Sequence, residues 1–188
     1  QNYFQKIHLL FASNTAPDVI FINNQYLPIY ANAGVLEDLS TYKNEFEYNK
    51  FFQIAIDTLS YQKKMYAIPR DVSTLVVFYN KDIFDKYNVR YPNKNWTIND
   101  LLTTSQKLTH APNIFGISFE EEPLFYLPYL NYFGVTDLLE NTTQMQNGLN
   151  FYANLRNKYH VAPKREEIAS ATMAQLFLQG KLGMHISG

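Results

Sequence analysis

Phe4, Ile7, Leu10 and Phe11 recur at helical spacing, and Asn14 follows where a residue tolerant of positive φ can close a helix. The chain is therefore predicted to open inside a helix. After Pro17 comes the short apolar run Val19-Ile20-Phe21-Ile22, unalternating as in a parallel strand buried on both faces. Its polar sequel, Asn23-Asn24-Gln25-Tyr26, would lie at the strand's carboxyl end, where open α/β sheets bind ligands. A short helix is expected over 30–39 with Gly34 near its end, and another around 51–59. Strands are expected over 65–68 and 74–79, separated by the polar turn Pro69-Arg70-Asp71-Val72-Ser73.

Trp96-Thr97-Ile98-Asn99-Asp100-Leu101 has the form of a helix start: Thr97 caps the amides, Asp100 bonds back, and Trp96 packs on Leu101. A strand follows over 115–119. Met145, Leu149, Tyr152 and Tyr159 are expected to form one face of a long helix. A last helix carrying Met173, Leu176 and Phe177 stops at Gly180, and a strand runs over 182–186. Alternation of strands and helices points to α/β layers rather than a bundle or sandwich. A helix before the first strand and a strand running to the last residue suggest a chain cut short at both ends.

Composition narrows the function classes. The 188 residues suffice for one large domain or two partial ones, burying about 70% of the unfolded surface. The formal net charge is −1 with scattered basic residues, which disfavours nucleic acid and anionic membranes as partners. No run of about 18 apolar residues is present to span a bilayer. With no cysteine, disulfides, thiolate metal sites and cysteine nucleophiles are excluded together. His8, His110, His160 and His185 lie far apart without metal-ligand spacing, so neither a metal nor a cofactor is expected. No G-x-S-x-G elbow, Walker loop or G-x-G-x-x-G occurs. The 15 Tyr and 14 Phe are compatible with stacking surfaces for sugar rings and equally with biased codon usage.

Five stretches, in this order, resemble the bacterial extracellular solute-binding proteins of ABC importers, the group that includes the maltose-binding and glycerol-3-phosphate-binding proteins. They are ASNTAPDVIFINN at 12–24, YANAGVLEDLS at 30–40, KKMYAIPRDVSTLVVFYNKDIFDKYNV at 63–89, NWTINDLL at 95–102 and FLQGKLGMHISG at 177–188. The resemblance implies an α/β, periplasmic-binding-protein-like fold of two lobes joined by a hinge. Residues 1–72 would be a partial lobe I, 73–79 the hinge strand, and 80–188 most of lobe II. It implies a receptor without catalysis that captures a sugar, oligosaccharide or polyol phosphate in an interlobe cleft. Such a receptor would be a monomer, periplasmic or extracellular, with a lipid anchor left open, and would deliver its solute to the transmembrane subunits of an ABC permease.

Ligand contacts carried over from the resemblance are Asn23, Asn24, Gln25 and Tyr26 in the first lobe and Arg70, Asp71 and Ser73 near the hinge. In the second lobe, EEPLFYLPYLNYFG at 121–134 points to Glu122, Phe125, Tyr126 and Tyr129. A sugar needs that combination of planar polar groups for hydroxyls and aromatic faces for C–H surfaces. Two departures stand out. Asn14 replaces the family's usual Gly, and Ile22 stands where some sugar binders carry an aromatic residue, so maltose itself is not implied.

Two other readings remain open on the residues alone. Glu120-Glu121-Glu122 could supply the paired carboxylates of a carbohydrate-active enzyme, which needs two about 5–10 Å apart across a glycosidic bond. Alternatively the chain is a vestigial or regulatory piece that binds nothing.

Overall fold

The computed structural model describes residues 3–188 apart from 46, 48, 49, 140, 141 and 169. The chain divides into two compact units, Gln1–Val72 and Ser73–Gly188.

The regular structure of the first unit is chiefly helical. Helix α1 (Tyr3–Ala12) ends as expected, with Asn14 at φ 55°. Helix α2 (Leu27–Asn32) follows a turn set by Asn23, and α3 (Gln53–Thr58) precedes a hairpin of β1 (Ser60–Tyr61) and β2 (Lys64–Met65). Gln62 and Lys63 both have positive φ, as a two-residue hairpin turn of the right-twisting kind requires. Aromatic packing joins α1 to α2: Phe4 and Tyr26 stack at 3.9 Å, Phe11 and Tyr30 lie 5.1 Å apart, and the Tyr30 hydroxyl donates to the Phe4 carbonyl at 3.3 Å. Leu27, Tyr30, Ala55 and Met65 are buried.

Three expectations for this unit are corrected. Residues 19–22 form no strand: Val19 is 86% exposed and Phe21 65%. A buried parallel strand needs a ladder on each side, and among the described residues of this unit the only sheet is the β1–β2 hairpin. The helix expected over 30–39 instead occupies 27–32, because Pro28 suits a first turn and Gly34, at φ 69°, ends it. The strand expected over 65–68 is confined to Lys64–Met65 by the tight turn; beyond it the backbone leaves the hairpin.

The second unit is built on a three-stranded sheet in the order β3-β5-β4: β3 is Val76–Tyr79, β4 Phe115–Ser118 and β5 Leu182–Ser187. Central β5 pairs antiparallel with β3 and parallel with β4. Helix α4 (Lys81–Lys86) starts where Asn80 Oδ1 accepts the Ile83 amide at 3.2 Å. Helix α5 (Ile98–Leu108) opens with the expected capping box, Thr97 accepting from the Asp100 amide while the Asp100 carboxylate accepts from the Thr97 amide at 2.8 Å. α5 lies so close to β4 that a Cβ on Gly116 would sit 1.9 Å from the Ser105 carbonyl oxygen, so only glycine fits there.

Helix α6 (Pro123–Tyr132) packs on α7 (Thr143–Asn157), and α8 (Met173–Leu178) precedes β5. The face of α7 differs from the one expected. Gly148, Phe151, Tyr152 and Leu155 point inward, whereas Leu149 is 38% exposed and Tyr159 lies past the helix end. A Cβ on Gly148 would lie 3.1 Å from the Leu130 Cα, so this close approach of α6 fixes the rotation of α7. Phe84, Leu108, Ile117, Phe119, Leu155 and Met184 form the buried centre of the unit.

Candidate functional site

The predicted site residues fall into groups that each unit holds by itself. In the first unit, Asn23, Asn24 and Gln25 are exposed on the turn before α2. Asn23 is occupied structurally: its Oδ1 accepts the Tyr26 amide at 3.1 Å and its carbonyl accepts the Leu27 amide at 3.1 Å. Asn24 and Gln25 are exposed, and neither is tied up by a side-chain hydrogen bond among the described residues. Tyr26 is half-buried, with one ring face against Phe4.

Arg70 and Asp71 are both exposed and pair with each other, Arg70 Nε donating to Asp71 Oδ2 at 2.7 Å with a second contact from Nη2. An exposed pair of this kind adds only about 0–1 kcal/mol to stability. Its geometry is more informative than its energy, because the guanidinium also sits 4.8 Å from the centroid of the exposed Phe21 ring. The structure thus brings Arg70 to a residue two positions before Asn23. The sequence pattern misses Phe21, which it places in a buried strand. Its only signal is its place in the apolar run, two residues before Asn23.

In the second unit, Ser73 is exposed beside Gly188, where an added Cβ would lie 2.9 Å from its hydroxyl oxygen. Glu122 is exposed at the N-cap of α6, and its carboxylate makes neither a cap bond nor an ion pair among the described residues. Tyr126 is half-buried and meets Tyr152 edge-on at 6.0 Å. Phe125 and Tyr129, by contrast, are core side chains at 8% and 5% exposure. They lie on the α6 stripe that packs against α7, which removes them as an open aromatic platform in this structure. The Tyr129 hydroxyl is buried and has no hydrogen-bond partner among the described residues, and burial, with Tyr152 nearby, pushes its pKa far above 10.

The loop from β4 to α6 is held from behind by two residues that the sequence pattern did not single out for this role. The Tyr152 hydroxyl donates to the Glu120 carbonyl at 2.7 Å, and burial raises its pKa to about 12. Arg156 Nη1 donates to Glu121 Oε1 at 2.8 Å, Nε donates to the Pro163 carbonyl at 2.9 Å, and the guanidinium carbon lies 5.1 Å from the Phe119 ring centroid. Their i,i+4 spacing puts both on one face of α7 but carries no signal of the loop they hold. Among the described residues no group of three His, Asp or Glu is placed to hold a metal ion. A cavity of about 590 Å³ lined by Arg90, Tyr91, Trp96 and Lys107 contains none of the predicted residues.

Comparison with known proteins decides the family. The family described as bacterial extracellular solute-binding protein matches residues 1–188. The chain belongs to this family. An ABC substrate-binding protein of Listeria monocytogenes, solved in complex with cycloalternan, is 30% identical, with a TM-score of 0.89 over 98% of this chain and 50% of that one. A solute-binding protein of Thermotoga lettingae bound with α-D-tagatose matches in fold, at 24% identity and a TM-score of 0.84 over 99% of this chain and 51% of its own. The diacetylchitobiose binding protein DasA of Streptomyces coelicolor is 26% identical over 97% of this chain and 44% of its own. The chain spans about half the length of the curated relatives it matches. The solute-binding fold expected from the five sequence stretches is therefore established. The family is an extracellular one, and among the described residues no helix is long and apolar enough to cross a membrane.

Proposed function

We propose that the protein is the substrate-binding receptor of an ABC importer for a sugar or oligosaccharide. Its contacts would be drawn from Asn24, Gln25, Arg70 and Asp71 in the first unit and Ser73, Glu122 and Tyr126 in the second. The observation that carries this reading is the family match over the whole chain, joined to a 30% identical relative solved with the oligosaccharide cycloalternan. Each group suits the chemistry: amide side chains donate to and accept from hydroxyls, carboxylates accept from them, and half-exposed Tyr126 offers an aromatic surface. Residues 72–79 would be the hinge, and solute binding would select a closed state recognised by membrane permease subunits. The receptor would act as a monomer in the periplasm or at the cell surface.

Hydrolysis is the weaker reading. The relatives named above are binding proteins, and Glu121, the middle of the three carboxylates, is tied to Arg156 instead of facing a partner carboxylate.

The test is titration calorimetry of the full-length protein with cycloalternan, maltotriose, diacetylchitobiose and glycerophosphocholine, with product analysis alongside. Saturable binding of at least one carbohydrate without turnover is expected. Glu122→Gln should weaken it about tenfold or more, the loss of a charge-assisted hydrogen bond. Turnover, or no binding to any of the three carbohydrates, would sink the reading.

A further inference from the structure

We infer that Arg156, supported by Tyr152, is a positioning residue that fixes the β4–α6 loop so that Glu122, and not Glu121, is the carboxylate offered to ligand. The inference rests on the receptor reading above and adds to it a residue that makes no ligand contact.

Three consecutive residues after β4 are gripped by α7. Phe119 is 1% exposed, with its ring 4.7 Å from that of Tyr152 and under the Arg156 guanidinium. Glu120 gives its carbonyl to the Tyr152 hydroxyl, and Glu121 gives its carboxylate to Arg156. The next residue, Glu122, has neither ion pair nor cap bond among the described residues. Free and held carboxylates are thus separated by a single peptide bond.

Arg156 is suited to this in a way lysine is not. Its planar guanidinium addresses the Pro163 carbonyl through Nε and Glu121 through Nη1 at once, while its face rests on Phe119. Its side chain is only 14% exposed, whereas that of Glu121 is 57% exposed. The cation is therefore part of the packed structure, and the carboxylate is drawn to it. Its base is rigid too, because neighbouring Leu155 is fully buried. A ligand group meeting Glu122 would depend on the angle at which 119–121 leave the sheet, and α7 sets that angle.

The test uses the full-length protein with Arg156→Lys, Arg156→Ala and Tyr152→Phe. Amide hydrogen exchange is followed at 119–122 and in β5, and binding is titrated with cycloalternan and maltotriose. Both Arg156 variants should speed exchange at 119–122 about tenfold, leave β5 amides protected, and weaken binding about tenfold. Tyr152→Phe should do the same to a lesser degree, while Glu122→Gln should weaken binding with exchange at 119–121 unaltered. Unchanged exchange at 119–122 in Arg156→Ala overturns the grip whatever the ligand. Faster exchange with full affinity overturns the positioning role. If the unsubstituted protein binds neither these sugars nor diacetylchitobiose, the receptor reading itself fails, and the positioning role falls with it even where the exchange result stands.

Discussion

The Tyr3 hydroxyl oxygen lies 3.0 Å from both the amide nitrogen and the carbonyl oxygen of Phe21. One phenol thus satisfies both backbone groups of a residue in a run that lacks a strand partner. It also ties α1 to the segment that leads into Asn23–Gln25. Tyr3→Phe should raise amide exchange at Phe21 and cost about 0.5–1.5 kcal/mol, the net worth of an ordinary hydrogen bond, because water can reach the exposed site. Urea unfolding and exchange mass spectrometry would check this.

Ser118 and His185 face each other in the β4–β5 register, with Ser118 Oγ 2.9 Å from His185 Nδ1 and both side chains buried. Burial holds the His185 pKa below 6.5, against a smaller upward pull from Glu120 and the Ser118 backbone. The unfolded chain therefore takes up the proton first as pH falls. Stability contributed by neutral His185 is complete above pH 6.5 and declines as pH drops through the folded-state value. The slope cannot exceed about 1.4 kcal/mol per pH unit for one group. Chemical denaturation from pH 8 to pH 4 should show this fall, and His185→Gln should remove this residue's share of it.

Gly116→Ala is expected to be among the most damaging single-methyl changes in the second unit. The new carbon would overlap the Ser105 carbonyl, which is backbone and cannot swing away. Overpacking of this kind costs about 1–3 kcal/mol and occasionally more. Gly34→Ala provides the contrast: nothing lies within 4 Å, and only the positive φ opposes it, at about 1–2 kcal/mol. Thermal melts of the two variants should rank in that order.

Thr97→Ala should cost about 0.5–2 kcal/mol by removing one arm of the α5 capping box. It should also let the Asp100 pKa rise toward the ordinary carboxylate range, since the Thr97 hydroxyl and amide are what lower it. Carboxyl titration by NMR would follow the second effect independently of stability.

Much of the second unit was legible in sequence because its signals are local or periodic. The Thr97–Asp100 box, Asn80 as a cap and the Gly180 stop need only neighbouring residues, and β5 is apolar because it is buried in the centre of the sheet. The failures have a common cause in long-range geometry. Val19–Ile22 carries the composition of a buried strand, yet a strand exists only where something pairs with it. Phe125 and Tyr129 look identical in sequence to Tyr126, and only the approach of α7 decides which rings are covered. Arg156 was invisible as a loop anchor since its partners, Glu121 and Phe119, lie more than 30 positions away.

The strand order has a consequence for biosynthesis. β5 separates β3 from β4 in the sheet but follows both in the chain. Until residues 182–187 emerge from the ribosome, the two earlier strands have no common partner, and Val76, Val77 and Phe78 on β3 present apolar surface even afterwards. A chain truncated before Leu182 should therefore fail to form this sheet and expose apolar surface, and restoring residues 182–187 should restore it.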